Sequence, residues 1–163
     1  AIKHCKGDLI KIIFMDDYLL VYNAISIMVE KFKNNLESKW LLSGYLHTQN
    51  YKHLYRLIKP KFNPKICLGI NTIGSPSTVM FHKDVTERFD PKVKWYMDCD
   101  FYHRMFFKYG KPITIHKPLL VNLLHGNQVS NKDISEELKK KEDKYLEQKY
   151  KDYFDFLRKT YIL

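Results

Sequence analysis

Residues 94–105 read KWYMDCDFYHRM and place two acids, Asp98 and Asp100, among large aromatic and apolar side chains. The segment from 98 to 110 predicts a helix that ends at Gly110, a residue suited to a helix C-terminus. An acid is costly to bury unless another group pairs with it or uses it. The stretch therefore predicts a helix that carries either an ordinary surface acid pair or a carboxylate with a chemical task.

Strand-like segments surround this helix. The β-branched, apolar run at 8–15 predicts a buried strand that ends at an acidic pair, and residues 17–32 have helical spacing. Further elements are strands at 39–47, 76–83, 112–116 and 118–125, a loop with one helical turn at 48–70, and one long helix, straight or kinked, at 133–163. The apolar stripe of that last helix comprises Leu138, Tyr145, Leu146, Tyr153, Phe156 and Leu157.

This alternation of strands and helices predicts an α/β fold with a mixed sheet. We expect residues 1–130 to form one domain and residues 131–163 to form a helical tail packed on it. A length of 163 residues suits one domain. No apolar run has the length of a membrane-spanning helix.

Three isolated cysteines, without metal-ligand spacing, favour a reducing compartment, and the start of the chain carries no signal-peptide pattern. We therefore expect a cytoplasmic protein. The chain begins at Ala1 and enters a strand-like segment at once, which is the pattern expected of a fragment.

The formal net charge of +10 raises the question of nucleic-acid binding. Arg is the preferred reader of bases and phosphates, yet four of the 28 basic residues are Arg and the rest are Lys spread along the chain. The charge therefore predicts general solvation and no specific nucleic-acid partner. A basic module that contacts nucleic acid or an anionic membrane remains an alternative, with peripheral association through the tail helix, although its interleaved acids favour a solvated face.

Candidate chemical groups stand where predicted elements end. Asp16 and Asp17 follow a strand, Asp98 begins a helix, and His125 follows the last strand. Each has a structural explanation: Asp17 as a helix cap, Asp98 as an acid at a helix N-terminus, and His125 as a turn residue. Together, however, a carboxylate pair, a separate carboxylate and an imidazole predict a metal-assisted transfer site.

Three segments, in this order and at these intervals, resemble the family 2 glycosyltransferases of the GT-A fold. They are GDLIKIIFMDDYL (7–19), NTIGSPSTVMFHKD through FDPKVKWYMDCDFYHRM (71–105) and PLLVNLLHGNQVS (118–130). The resemblance implies transfer of a sugar, with inversion, from a nucleotide-diphosphate donor to a hydroxyl of a saccharide or lipid-linked acceptor. It also implies a partial GT-A domain, because the family's N-terminal, nucleotide-binding half precedes these motifs.

The resemblance also assigns roles to residues. Asp98 would be the catalytic base, and Asp16, Asp17 and His125 would hold Mn²⁺ or Mg²⁺. The residues expected to contact donor or acceptor are Gly74, Ser75, Pro76, Trp95, Asp100, Asn127 and Gln128. For Asp100, the alternative is a contact within its own helix turn. We expect Asp16, Asp98 and His125 to converge on one cleft.

Three positions depart from the family pattern. Phe14 stands where the first motif acid is usual, Met97 replaces the Glu before the base, and Leu123 replaces an Arg before the histidine. These departures leave a catalytically inactive remnant as the alternative function. An exposed sheet edge at residues 8–15 would also permit a homodimer through strand pairing.

Overall fold

The structure is a computed structural model that describes residues 1–126 and 134–161. Its strands are β1 (Leu9–Lys11), β2 (Tyr18–Leu19), β3 (Trp40–Thr48), β4 (Leu54–Ile58), β5 (Val79–His82) and β6 (Ile113–Leu123). Its α-helices are α1 (Ala24–Lys33), α2 (Met97–Tyr109), α3 (Glu136–Lys149) and α4 (Lys151–Tyr161). Short 3₁₀ helices cover Ile2–His4, Pro64–Leu68 and Pro76–Thr78.

The strands form one mixed sheet in the order β1-β5-β3-β6-β2, with β4 paired to the second half of β3. The central pair, β3 and β6, is parallel, and the other pairs are antiparallel. This confirms the predicted α/β class and the mixed sheet. β1 stands at one end of the strand order, so the predicted strand at 8–15 is an edge strand in the described part of the chain.

A bulge interrupts the parallel pair. Ser43 pairs with Ile115, Gly44 with Pro118 and Tyr45 with Leu120, so the register shifts twice and three residues of β6 have no paired residue in β3. A Cβ atom at Gly44 would lie 2.7 Å from the carbonyl oxygen of His116. The close approach of the two backbones therefore requires glycine here. The proline that suggested two separate strands instead lies inside one bulged strand.

One helix packs directly on each face of the sheet. On one face, Trp40, Leu42 and Phe81 pack against Phe101 and Tyr102 of α2. The alternate strand residues Leu41 and Met80 point to the other face and pack with α1 residues Ala24, Met28 and Phe32. The indole Nε1 of Trp40 donates to the carbonyl of Gly110 at 2.9 Å, which fixes the end of α2 against β3. α2 is thus attached to the sheet by its buried rings and at its C-terminal end.

Helices α3 and α4 dock on α2 through polar as well as apolar contacts. The buried Asp100 carboxylate accepts from Arg104 Nη2 at 2.8 Å, Lys149 Nζ at 2.6 Å and Tyr150 Oη at 2.5 Å. Lys149 also binds Asp90 at 2.7 Å. Among the apolar tail residues, Leu146 and Leu157 are buried, whereas Phe156 of the predicted stripe is 55% exposed. None of the helices in the described ranges has the length and apolar character needed to cross a membrane.

Several predicted boundaries differ from the structure. The helix predicted at 17–32 begins at Ala24, because Tyr18 and Leu19 pair with β6 as β2. The predicted loop at 48–70 contains β4 as well as the expected helical turn, at Pro64–Leu68. The tail is two helices that break at Tyr150. The predicted domain boundary at 130/131 lies outside the described residues.

Candidate functional site

The loop from Asn71 to Ser75, here called the 71–75 loop, is built around the side chain of Asn71. The Asn71 Oδ1 accepts from the backbone N–H groups of Ile73 at 3.0 Å and Gly74 at 2.8 Å. Gly74 has φ +102°, and a Cβ atom there would collide with the hydroxyl of Tyr45. The tight turn over Tyr45 therefore requires glycine at this position.

One end of this loop holds Asp98, the predicted base. Asn71 Nδ2 donates to Asp98 Oδ2 at 2.7 Å, and the N–H of Cys99 donates to Asp98 Oδ1 at 2.7 Å. Asp98 is half-buried in the first turn of α2. Its burial raises the pKa of Asp98 from the ordinary 3.8 to about 6, against the lowering effect of those two hydrogen bonds.

The other end of the loop holds Asp17. The hydroxyl of Ser75 donates to Asp17 Oδ2 at 3.1 Å. The residues just before Asp17 are also held close to the end of the loop, since the N–H of Phe14 donates to the Ser77 hydroxyl at 2.9 Å. Asp17 and Asp98 are thus brought to the two ends of one short loop, although they are far apart in the sequence.

Tyr45 packs against the 71–75 loop, with its hydroxyl close to Gly74. Burial raises the pKa of Tyr45 to about 12; the negative charges of Asp17 and Asp98 add to the rise, and the positive charge of Arg56 opposes it. Asp17 and Asp98 therefore both act on the Tyr45 phenol from the two ends of the 71–75 loop. The sequence did not mark Tyr45, because its place depends on the pairing of β3.

Asp16 has a different partner from Asp17. His125 Nε2 lies 3.1 Å from Asp16 Oδ2, and each side chain is 33% exposed. The structure therefore brings two predicted metal ligands together at the end of β6. Across residues 1–126 and 134–161, no group of three or more His, Cys, Asp or Glu side chains is close enough to hold a metal ion.

Lys11 is a perturbed group that the sequence analysis missed. Its Nζ donates to the backbone carbonyls of Ser77 and, at 3.3 Å, Val79. Burial lowers the pKa of Lys11 to about 7, against the charge of Asp17, which raises it. A lysine in an apolar strand usually points toward solvent, so the sequence pattern did not predict that the Lys11 amine is desolvated.

Two of the predicted contact residues, Asp100 and Trp95, have partners within the protein. The oxygens of Asp100 are occupied by Arg104, Lys149 and Tyr150, and its side chain is fully buried, so it is closed to a ligand. The alternative contact within its own helix turn is present, to Arg104 at i+4. Lys139 Nζ of α3 lies 4.9 Å from the centroid of the Trp95 ring, and the contact of Trp95 with donor or acceptor stays a prediction.

The remaining predicted contact residues belong to the 71–75 loop, follow it directly, or come after β6 in the sequence. Gly74 and Ser75 belong to the 71–75 loop, and Pro76 begins the 3₁₀ helix that follows it. Asn127 and Gln128 lie outside the described residues.

No protein-family model matches this chain, and no curated protein matches it either.

Proposed function

We propose that this chain is part of a glycosyltransferase domain of the GT-A, family 2 type, which transfers a sugar from a nucleotide-diphosphate donor to an acceptor hydroxyl. One observation carries the proposal: the 71–75 loop binds Asp98 through Asn71 at 2.7 Å and Asp17 through Ser75 at 3.1 Å. A candidate base and a candidate diphosphate-side acid are thereby fixed relative to each other, as a transfer between two bound substrates requires.

The surroundings of Asp98 suit a general base. A carboxylate with the ordinary pKa of 3.8 accepts a proton poorly, and burial brings the pKa of Asp98 to about 6. At neutral pH such a group is still ionised and is a stronger base. In the transfer, the acceptor hydroxyl gives its proton to Asp98 while its oxygen bonds to the anomeric carbon. The bond from that carbon to the diphosphate breaks, and the electron pair leaves with the diphosphate.

The residues near Asp16 fit a Mn²⁺ or Mg²⁺ ion that is held jointly with the substrate. Asp16 and His125 would supply one carboxylate and one imidazole, which Mn²⁺ accepts more readily than Mg²⁺. Two protein ligands leave most of the coordination sphere to water and diphosphate oxygens. When bound, the ion would neutralise charge that develops on the leaving diphosphate.

The test is release of nucleoside diphosphate from UDP-glucose, UDP-N-acetylglucosamine, GDP-mannose and dTDP-rhamnose, with Mn²⁺, by the full chain. We expect Asp98→Asn to lower the rate by roughly 10²-fold or more without changing donor affinity, because the variant keeps the shape and removes the base. Asp152→Asn, at an exposed position of α4, is the matched control.

A second arm tests the metal side by calorimetry. Asp16→Asn should weaken Mn²⁺-dependent binding of the nucleoside diphosphate, whereas Asp98→Asn should leave it unchanged. Full turnover by the Asp98→Asn variant, or unaltered Mn²⁺ dependence in the Asp16→Asn variant, would contradict the proposed roles.

A further inference from the structure

Beside Tyr45, a row of polar side chains crosses three strands of the sheet and continues to the residue directly before β2. His47 of β3 pairs in register with Tyr55 of β4 on one side and with Asn122 of β6 on the other. Tyr18 of β2 pairs with Val121, so Asp17, one residue earlier, falls next to Asn122 in the antiparallel register. Paired residues project from the same face of a sheet, so Tyr55, His47, Asn122 and Asp17 form one row, here called the polar row.

The centre of the polar row is chemically unsatisfied. Asn122 is only 5% exposed, and its Nδ2 has no hydrogen-bond partner within the described residues. The neighbouring His47 Nδ1 is also buried and has no partner there. Buried polar atoms nearly always have a partner, so two adjacent exceptions in one row indicate a place that another molecule fills.

The two groups are suited to hydroxyls rather than to an anion. Burial, together with the positive charge of Arg56, lowers the pKa of His47, against the charge of Asp17, so the imidazole is neutral at neutral pH. A neutral imidazole and a carboxamide each offer one donor group and one acceptor atom, which is what a hydroxyl needs. An anion would instead require donors or cations alone.

Aromatic rings complete the surroundings of the polar row. The ring of Tyr45 meets His47 edge-on at 5.3 Å between centroids, and the ring of Tyr55 lies 6.0 Å from His47 on the other side. A sugar ring carries apolar C–H faces as well as hydroxyls, and sites with aromatic walls and a few fixed polar groups bind such molecules. Asp17 is the last member of the row, and Tyr45, which contacts His47, also lies against Gly74 of the loop that binds Asp98.

We propose that His47 and Asn122 bind hydroxyl groups of a sugar ring between Asp17 and Asp98. This inference rests on the proposed function, because that function supplies a sugar at this place. The same chemistry could belong to the sugar of the donor or to a saccharide acceptor. The two sources differ in one respect: only the donor sugar is joined to a nucleoside diphosphate.

The experiment uses the full chain with Mn²⁺ and two substitutions, Asn122→Leu and His47→Phe. Calorimetry compares UDP with UDP-glucose and GDP with GDP-mannose, and the ratio of the two dissociation constants gives the contribution of the sugar. Saturation-transfer NMR with methyl glucoside and methyl mannoside tests free sugars. The controls are His53→Phe and Asn34→Leu, at exposed positions outside the polar row.

If the donor sugar occupies the row, each substitution should reduce the sugar's contribution roughly tenfold, as expected for a lost hydrogen bond, and leave UDP or GDP binding unchanged. If an acceptor occupies it, the free-sugar signal should disappear while that contribution is unchanged. Asn122→Leu should also keep the thermal midpoint of the wild type, because the Asn122 Nδ2 binds nothing in the described part of the free protein.

The failures can be told apart. One outcome is that the wild type binds no nucleotide but gives a free-sugar signal that His47→Phe and Asn122→Leu abolish. That result would remove the nucleotide-sugar donor from the proposed function and would still support this inference. Sugar binding that neither substitution alters, or no sugar binding in either arm, would refute it.

Discussion

Replacing Asp98 with Asn should change how the stability of this protein depends on pH. Burial raises the pKa of Asp98 from 3.8 to about 6, so the folded state holds this proton more tightly than the unfolded chain does. The free energy of unfolding therefore receives its full contribution from Asp98 below about pH 4 and loses it as pH rises to about 6. An Asn side chain does not titrate, so the variant should lack this loss.

The size of this change in the free energy of unfolding follows from the pKa shift of Asp98 and from how far its side chain is exposed. A rise in pKa from 3.8 to about 6 corresponds to about 3 kcal/mol between the two protonation states. Asp98 is half-buried, and solvent screening reduces the contribution to about 1–2 kcal/mol. The variant also loses one acceptor oxygen, which faces Asn71 or Cys99, at a cost of about 1 kcal/mol at every pH. We expect it to be less stable than wild type at pH 4 and equally stable, or more stable, at pH 7.

Urea unfolding at half-unit steps from pH 4 to pH 8, at constant ionic strength, measures this difference. Groups that titrate identically in both proteins cancel when the two free energies of unfolding are subtracted. The Asp152→Asn control, at an exposed position, should give a difference that is flat with pH. A flat difference for Asp98→Asn as well would refute the idea that this carboxyl sits in a desolvated site.

Two further predictions concern the tail and the net charge. Glu142→Gln should lower the free energy of unfolding by about 2–3 kcal/mol in urea titrations, because the buried carboxylate accepts hydrogen bonds from the N–H groups of three consecutive residues ahead of α2. The control is Glu137→Gln, at an exposed position of α3. An equal loss of stability in both variants would contradict this reason. Fluorescence anisotropy with duplex DNA should show weak binding that is lost at about 0.15 M salt, because salt screens the contacts between scattered lysines and phosphates. A tight complex at that salt concentration would contradict the view that the +10 charge serves general solvation.

Local sequence patterns predicted the elements that bury a regular face. Helix α2 was expected at 98–110 and runs over Met97–Tyr109, because Gly110 ends it and its apolar residues pack on the sheet. Strand β3 was expected at 39–47 and runs over Trp40–Thr48 for the same reason. β4 escaped prediction because its residues are mostly exposed, and only pairing with β3 makes this segment a strand.

The candidate site was predictable for single residues and not for their partners. Asp16, Asp98 and His125 stand at the ends of elements, which the sequence shows directly. Their partners depend on contacts between distant parts of the chain, as with Asn71 for Asp98, at 2.7 Å. The polar row is a stronger case, since His47 and Asn122 become neighbours only through the register of the parallel strands, which contains a bulge that no local pattern predicts.

The tail helices bear on the site because they hold the helix that carries Asp98. Glu142 of α3 accepts from the N–H groups of Lys94, Trp95 and Tyr96 at 2.7–3.1 Å, directly ahead of the first residue of α2. Two turns further along α3, Lys149 binds Asp100 of α2 at 2.6 Å. The opposite side of α2 packs on the sheet through buried aromatic rings. Since α2 is fixed on both sides, a shift of Asp98 relative to the 71–75 loop would have to break buried hydrogen bonds or open the core, so the tail contributes to the position of the proposed base without contacting it.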